Sequence, residues 1–240
     1  MSPEILLGAV FLGAIVQGFT GFAFSAVAGA ILLQVAPANV TVPLLMLCSL
    51  AIQGFVLVRL RGTISWQASL PYLVGGAGGV LLAAGLFDLI DVHTFRIAFG
   101  GFLVLYASWM LMRPQVALLL QKRRPLGHAA VGFAGGLIGG LTAMPGAVLA
   151  IWCDVQAMPK TAQRGVVQPF IAAMQTLALA FLFLKAPAVY QAMWPQLLIA
   201  LPALLAGSMV GLYLFGKVKD AAFRKVVCGL LLPSGIAMLR

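Results

Sequence analysis

Charge is what this chain of 240 residues has least of. Only 8% of its side chains are charged, against 62% hydrophobic, and five acids face fifteen Lys and Arg for a formal net charge of +10. Soluble domains run at about 25% charged and about 45–50% apolar, so a water-soluble globule is excluded, and disorder with it. The positive balance has no polar face on which to build a basic groove. It reads as membrane topology and not as nucleic-acid binding. Three cysteines (Cys48, Cys153, Cys228) stand far apart in apolar runs, and His93 and His128 have no partner at ligand spacing. Disulfide frameworks and metal sites are excluded by that scarcity, and no cofactor is called for. No acid lies in the middle of an apolar run, which leaves a carboxylate relay or a sodium site without an occupant. Phosphate-loop, Gly-x-Ser-x-Gly and His-Glu-x-x-His motifs are missing too, so neither ATP use nor familiar hydrolysis is expected. The N-terminus lacks a basic n-region, so the first apolar run is expected to stay in the mature protein.

What is present is long uncharged stretches. They divide into eight hydrophobic segments, 5–36, 40–58, 68–87, 95–112, 128–153, 165–184, 194–215 and 223–239, with a basic linker at 113–127. A crossing helix needs about 20 residues, and lipid cannot satisfy open backbone, so the fold class is an all-α polytopic membrane protein. The two sides of the linker resemble one another. Gly18-Phe19-Thr20-Gly21 lines up with Gly136-Leu137-Ile138-Gly139, Leu70-Pro71 with Leu201-Pro202, and Phe95-Arg96 with Phe223-Arg224. This order points to two repeated halves, residues 1–112 and 128–240, a common way to build secondary transporters.

Charge decides how the halves are oriented. If all eight segments cross, the fifteen basic residues divide 8 to 7. If segments 1 and 5 enter and leave on one side, Arg59, Arg61, Arg113, Lys122, Arg123, Arg124, Lys160, Arg164, Lys217, Lys219, Arg224 and Lys225 share a face. The other face then keeps Arg96, Lys185 and Arg240, a split of 12 to 3. The positive-inside rule selects the second arrangement. Each half is then a broken or re-entrant glycine-rich hairpin followed by three spans, the halves are inverted, and both termini are periplasmic. A straight helix over 5–36 would run to about 48 Å, too long for a core of about 30 Å.

Glycine concentrates in the two hairpins, around Gly18 and Gly21 in the first and Gly135, Gly136, Gly139, Gly140 and Pro145 in the second. Glycine permits bent backbone, and Pro145 removes a donor. Free N–H groups at a helix break can hold an anion, although close helix packing uses the same small-residue spacing. Gln17, Thr20, Ser25, Thr142, Gln168 and Gln175 supply polar groups inside the spans. The expected substrate-binding set is therefore Gln17, Gly18, Thr20, Gly21, Ser25, Gly136, Gly139, Gly140, Thr142, Pro145, Gln168 and Gln175. Arg164 could attract an anion or serve as a snorkelling topology residue, and Asp154 could relay a proton or pair with Lys160 or Arg164.

The chain resembles the sulfite exporter TauE/SafE family, also called the toluene sulfonate uptake permease family, over essentially its whole length. The likeness rests on Gly18 and Gly21, on Gly135-Gly136-Leu137-Ile138-Gly139-Gly140, on the turn Arg59-Leu60-Arg61-Gly62-Thr63-Ile64-Ser65-Trp66, and on Leu70-Pro71 through Gly79. Relatives often carry Gly-Pro-Pro where this chain has Met144-Pro145-Gly146, which keeps the break. The resemblance implies two repeated halves and transport of sulfite, a sulfonate, sulfoacetate or a similar anion across the bacterial inner membrane, with proton-motive coupling. Its partners would be the small anion and the lipid bilayer, with no nucleic acid; monomer and homodimer both stay open. Rival readings are a passive anion channel and a scaffold subunit of an export complex. Inversion makes one prediction at once: single cysteines at positions 38 and 156 are modified by impermeant thiol reagents from opposite sides, with 38 outside. Modification of both from one side would break the inversion.

Overall fold

A computed structural model of the chain describes residues 2–60, 64–86, 92–112, 125–156 and 158–217, with isolated positions beyond these. Among the described residues the secondary structure is helical: α1 (Pro3–Thr20), α2 (Phe24–Leu32), α3 (Ala38–Leu60), α4 (Trp66–Leu86), α5 (Val92–Met112), α6 (Pro125–Thr142), α7 (Gly146–Val155), α8 (Lys160–Lys185) and α9 (Pro187–Lys217). Among the described residues, five helical stretches are long and apolar enough to cross a membrane: Pro3–Thr20, Ala38–Val58, Trp66–Leu86, Thr161–Lys185 and Met193–Lys217. Most of the linker (113–124) and most of the expected span 223–239 lie outside the described residues. α6 starts at Pro125 and α9 at Pro187, earlier than the apolar runs suggest, because proline is well suited to the first helical turn.

Both expected hairpins are broken helices. α1 starts on Ser2 with Pro3 and Glu4 in its first turn, and ends at Gly21, whose φ of 91° closes the helix through an N–H bond back to Gln17 O. The chain then reverses, since a Cβ on Gly13 would lie 2.9 Å from the Cβ of Ala28. In the second pair, His128 near the start of α6 meets the indole of Trp152 near the end of α7, and Gln156 Nε2 is 3.5 Å from its Nε2. α2 and α7, at 9 and 10 residues, are about 14–15 Å long, half a bilayer core.

The elements recur at a fixed spacing. α1 and α6 begin at 3 and 125, α2 and α7 at 24 and 146, α3 and α8 at 38 and 160, each 122 residues apart. The glycine match at Gly18 and Gly136 implies 118 instead. One helical turn separates the two registers, and a four-residue slip keeps small residues on the same face, so glycine spacing alone cannot choose between them. Helix ends do choose: Thr20 matches Thr142, and Gly21 matches Ala143.

Directions follow from contacts. The start of α3 (Val42, Met46) and the end of α8 (Leu182, Lys185) line one cavity, while Ser65 N, beyond α3, bonds Gly165 O at 3.2 Å near the start of α8. These two helices are therefore antiparallel. α4 runs parallel to α8, with Gly76 beside Phe170 and Met174, and Ala84 O accepting from Lys185 Nζ at 3.0 Å.

Two backbone-to-backbone seams hold the assembly. α4 lies on α6 where Gly75, Gly76 and Gly79 meet Ala129, Gly136 and Phe133, and α1 lies on α9 where Gly18 and Ile15 meet Ser208 and Gly211. Lipid provides no hydrophobic drive between helices, so this close van der Waals approach does the joining. The outer faces of α4 and α9 expose Leu70, Val74, Leu198 and Tyr213, which suits contact with acyl chains. Ala38 is buried, so the exposed Val35 in the same turn is the better labelling position.

A Cβ on Gly136 would fall on the carbonyl of Gly76, whereas Gly54 has nothing within 4 Å. Gly136→Ala is expected to destabilise the protein by about 1–3 kcal/mol through overpacking. Gly54→Ala should be neutral or stabilising by up to about 1 kcal/mol. Thermal unfolding of both variants in detergent measures the difference; equal effects would remove the seam's role.

Candidate functional site

The two breaks come together inside the molecule. Residues 21–24 and 143–147 are buried throughout. Ser25, in the first turn of α2, donates its hydroxyl to Ala143 O at 2.8 Å, and a Cβ on Gly146 would lie 2.7 Å from Phe22 Cβ. The N-termini of α2 and α7 thus adjoin. Neither is capped by its own N-cap side chain, because those residues are Ala23 and Pro145. Two positive helix ends are left side by side.

α8 holds both breaks. Gln168 Nε2 donates to Gly21 O at 2.9 Å, and Gln175 Nε2 to Ala143 O at 3.4 Å. Seven residues of helix place these contacts about 10 Å apart, on either side of the helix midpoint. An unbonded carbonyl at that depth costs several kcal/mol, so the glutamines answer a need that the breaks create. Arg164, a turn earlier, donates through Nη2 to Gly18 O at 2.7 Å and Phe19 O at 2.8 Å. These are carbonyls that the end of α1 leaves open. Its guanidinium carbon lies 3.6 Å from the centroid of Phe215 on α9. The snorkelling role fails here: Arg164 is 6% exposed, and the basic split becomes 11 to 3 once it is set aside.

Several expected ligands have other employment. Thr20 Oγ1 accepts from Phe22 N at 3.2 Å and Ala23 N at 3.1 Å, so it satisfies the N–H groups of the break itself. Thr142 Oγ1 bonds back to Ile138 O at 2.7 Å, as mid-span threonines commonly do. Gly18 and Gly136 sit in the helix seams, Gly139 packs on Pro145, and Gly140 packs on Ala83. Asp154 stands near the far end of α7, about 12 Å of helix from the break. Gln17 lies one turn before Gly21 and accepts from Ser49 at 3.2 Å. Gln53, a polar residue inside a span but outside the expected binding set, is fully buried on α3. Its spacing of four from Ser49 was the available signal.

Buried polar atoms without a hydrogen bond gather here: Gln17 Nε2, both amide atoms of Gln53, Arg164 Nε, Gln168 Oε1 and Gln175 Oε1. Groups this deep are normally partnered, so the set marks a place for a polar guest. A separate cavity of about 40 Å³ lies between α3, α4, α6 and α8, lined by Val42, Met46, Ala84, Gly140, Leu182 and Lys185 and by none of these polar residues.

Residues 5–238, both breaks included, match the family model for the sulfite exporter TauE/SafE. The chain belongs to the TauE/SafE family. It is accordingly a multi-pass membrane transporter of the sulfite-exporter kind and not an enzyme. No curated protein and no solved structure matches it.

Ala143 carries a positive φ of 59° where the first half has glycine. Ala143→Gly should therefore stabilise, by about 1 kcal/mol. Gly21→Ala should do the reverse by at least that amount, because its Cβ would also sit 2.7 Å from Gln168 Nε2. Melting temperatures of the two variants moving in the same direction would contradict this account of the breaks.

Proposed function

We propose that this protein is a secondary transporter that exports a small sulfur-containing or organic anion, such as sulfite, a sulfonate or sulfoacetate, across the bacterial inner membrane at the expense of the proton-motive force. The observation that carries the reading is the meeting of two uncapped helix starts inside a bundle that also buries the unpartnered donors Gln17 Nε2, Gln53 Nε2 and Arg164 Nε, with no acidic group among the described hydrogen-bonded neighbours of either break. First-turn N–H groups of α2 and α7 bind the anion, as helix N-termini bind phosphate and carboxylate elsewhere. Gln17, Gln168 and Gln175 orient it, and Gly21 and Pro145 keep the helices open.

The halves are read as inverted copies with both termini periplasmic and the linker cytoplasmic. Two facts support this, the 122-residue spacing of helix starts and the antiparallel run of α3 and α8, and in this arrangement most of the basic residues fall on one side. In an inverted repeat, substrate binds near the midplane between the halves and access alternates as one rocks against the other.

Flux of sulfite and of short-chain sulfonates into proteoliposomes, driven by an imposed pH difference, tests the proposal. Accumulation against the anion gradient is expected, with Gln168→Ala and Gln175→Ala each slowing it tenfold or more and Gly54→Ala leaving it unchanged. Flux that only follows the anion's own gradient would make the protein a channel. Full-rate transport by both glutamine variants would remove the site from the breaks.

A further inference from the structure

Arg164 places a whole positive charge 94% inside a membrane helix bundle, and among the described residues no carboxylate pairs with it. Its Nη2 answers the two carbonyls ending α1, and the ring of Phe215 covers one side of its guanidinium carbon. The Nε–H has no acceptor. It lies 3.7 Å from the place a Cβ on Gly21 would occupy, with Gln168 Nε2 2.7 Å from the same point. Both nitrogens therefore flank the bare side of the first break.

The junction does not require this charge for its own packing. The position 122 residues earlier is Val42, and the residues around Val42 correspond to those around Arg164. Ala84 matches Phe215 in the register of Gly76 and Gly207, and Gly140 matches Gly18 in the register of the helix starts. There the junction holds a small, mostly apolar cavity with Lys185 at its lining and no basic residue at position 42. A side chain needed only to join these helices would not be valine in one half and arginine in the other.

We propose that Arg164 is the resident counter-charge of the transported anion, and that the site consequently selects singly charged oxyanions, such as simple sulfonates and hydrogensulfite, over doubly charged ones such as sulfate and, among the anions named above, sulfoacetate and the sulfite dianion. The inference rests on the reading of the breaks as the anion site. Desolvation rises with the square of the charge, so a dianion pays roughly four times the penalty of a monoanion. Its attraction to one fixed cation only about doubles. A second buried cation would be needed to recover the difference, and the side chains shown bonding to the two breaks are Thr20, Ser25, Gln168, Gln175 and this one arginine.

The test is competition against sulfonate flux, and in parallel the anion-dependent melting temperature of the purified full chain. Methanesulfonate, nitrate, sulfate and thiosulfate are compared at equal ionic strength. Wild type should respond to methanesulfonate and nitrate at concentrations at least tenfold lower than to sulfate or thiosulfate. Arg164→Gln should erase the preference, and Arg164→Lys, which keeps the charge, should retain it. Equal or tighter dianion binding by wild type would overturn the inference, as would an unchanged preference in a folded Arg164→Gln. Because loss of the α1 contacts can prevent Arg164→Gln from folding, the wild-type ratio and the lysine variant decide the matter without it. Monoanion-selective melting shifts without any flux of sulfur anions would leave Arg164's role standing and remove the transport reading; sulfonate flux intact in Arg164→Gln would do the opposite.

Discussion

Two interruptions of helical hydrogen bonding, buried where no water can reach, set the terms for everything around them. Each break frees carbonyls on its N-terminal side and amides on its C-terminal side. The carbonyls are dealt with inside the protein: Gly18 O and Phe19 O by Arg164, Gly21 O by Gln168, Ala143 O by Ser25 and Gln175. The amides are treated unequally. Thr20 takes those of Phe22 and Ala23, while the first turns of α2 and α7 receive no N-cap side chain. Satisfying the carbonyls while leaving the first turns of α2 and α7 uncapped makes the backbone at the centre electropositive, beside the unpaired side-chain oxygens of Gln168 and Gln175. Neutral glutamines can do this without a fixed negative charge that would repel an anion.

The glycine seams give that centre a frame. α6 is fixed to α4 by backbone contact, and α1 to α9. Each broken pair thus has its long helix bound to a span of the opposite half, while its short helix reaches the middle. Small residues suit the seam because side chains longer than a hydrogen would separate the two backbones. The cavity beside Gly140 lies next to the α4–α6 seam and is walled by helices α3, α4, α6 and α8 and not by loops.

Much of this was legible in the residues. The helix breaks fall at Gly21 and at Ala143-Met144-Pro145, where glycine and proline density indicated them, and Gln168 and Gln175 are at the breaks because an amide in hydrocarbon must have a partner. The repeat register was not legible, since a slip of one turn leaves a glycine face unchanged; only helix ends separate 118 from 122. Arg164 was misplaced for a different reason. A basic residue near a span end normally snorkels, and nothing local announces that the carbonyls ending α1, about 145 positions away in sequence, will claim its guanidinium. Thr20 and Thr142 look alike in sequence, yet one caps a break and the other bonds its own helix. The choice depends on whether the chain turns at a flexible glycine or at a proline with no N–H to offer.

Likeness of backbone and unlikeness of side chain are the final constraint. At the junction where the start of one long span meets the broken pair of the opposite half, the first half carries Val42 and Met46 and the second Arg164 and Gln168, at positions 122 apart. Gln53 and Gln175 keep the same residue at that spacing, but only Gln175 bonds a carbonyl of a break, while both amide atoms of Gln53 have no partner among the described residues. At the first break the carbonyl of Gly21 is bonded by Gln168 instead. Departure from symmetry thus goes with unpaired buried donors at Gln17, Gln53 and Arg164 and unpaired acceptors at Gln53, Gln168 and Gln175. That polar interior, with one fixed cation in it, gives an otherwise oily bundle a capacity to hold an anion.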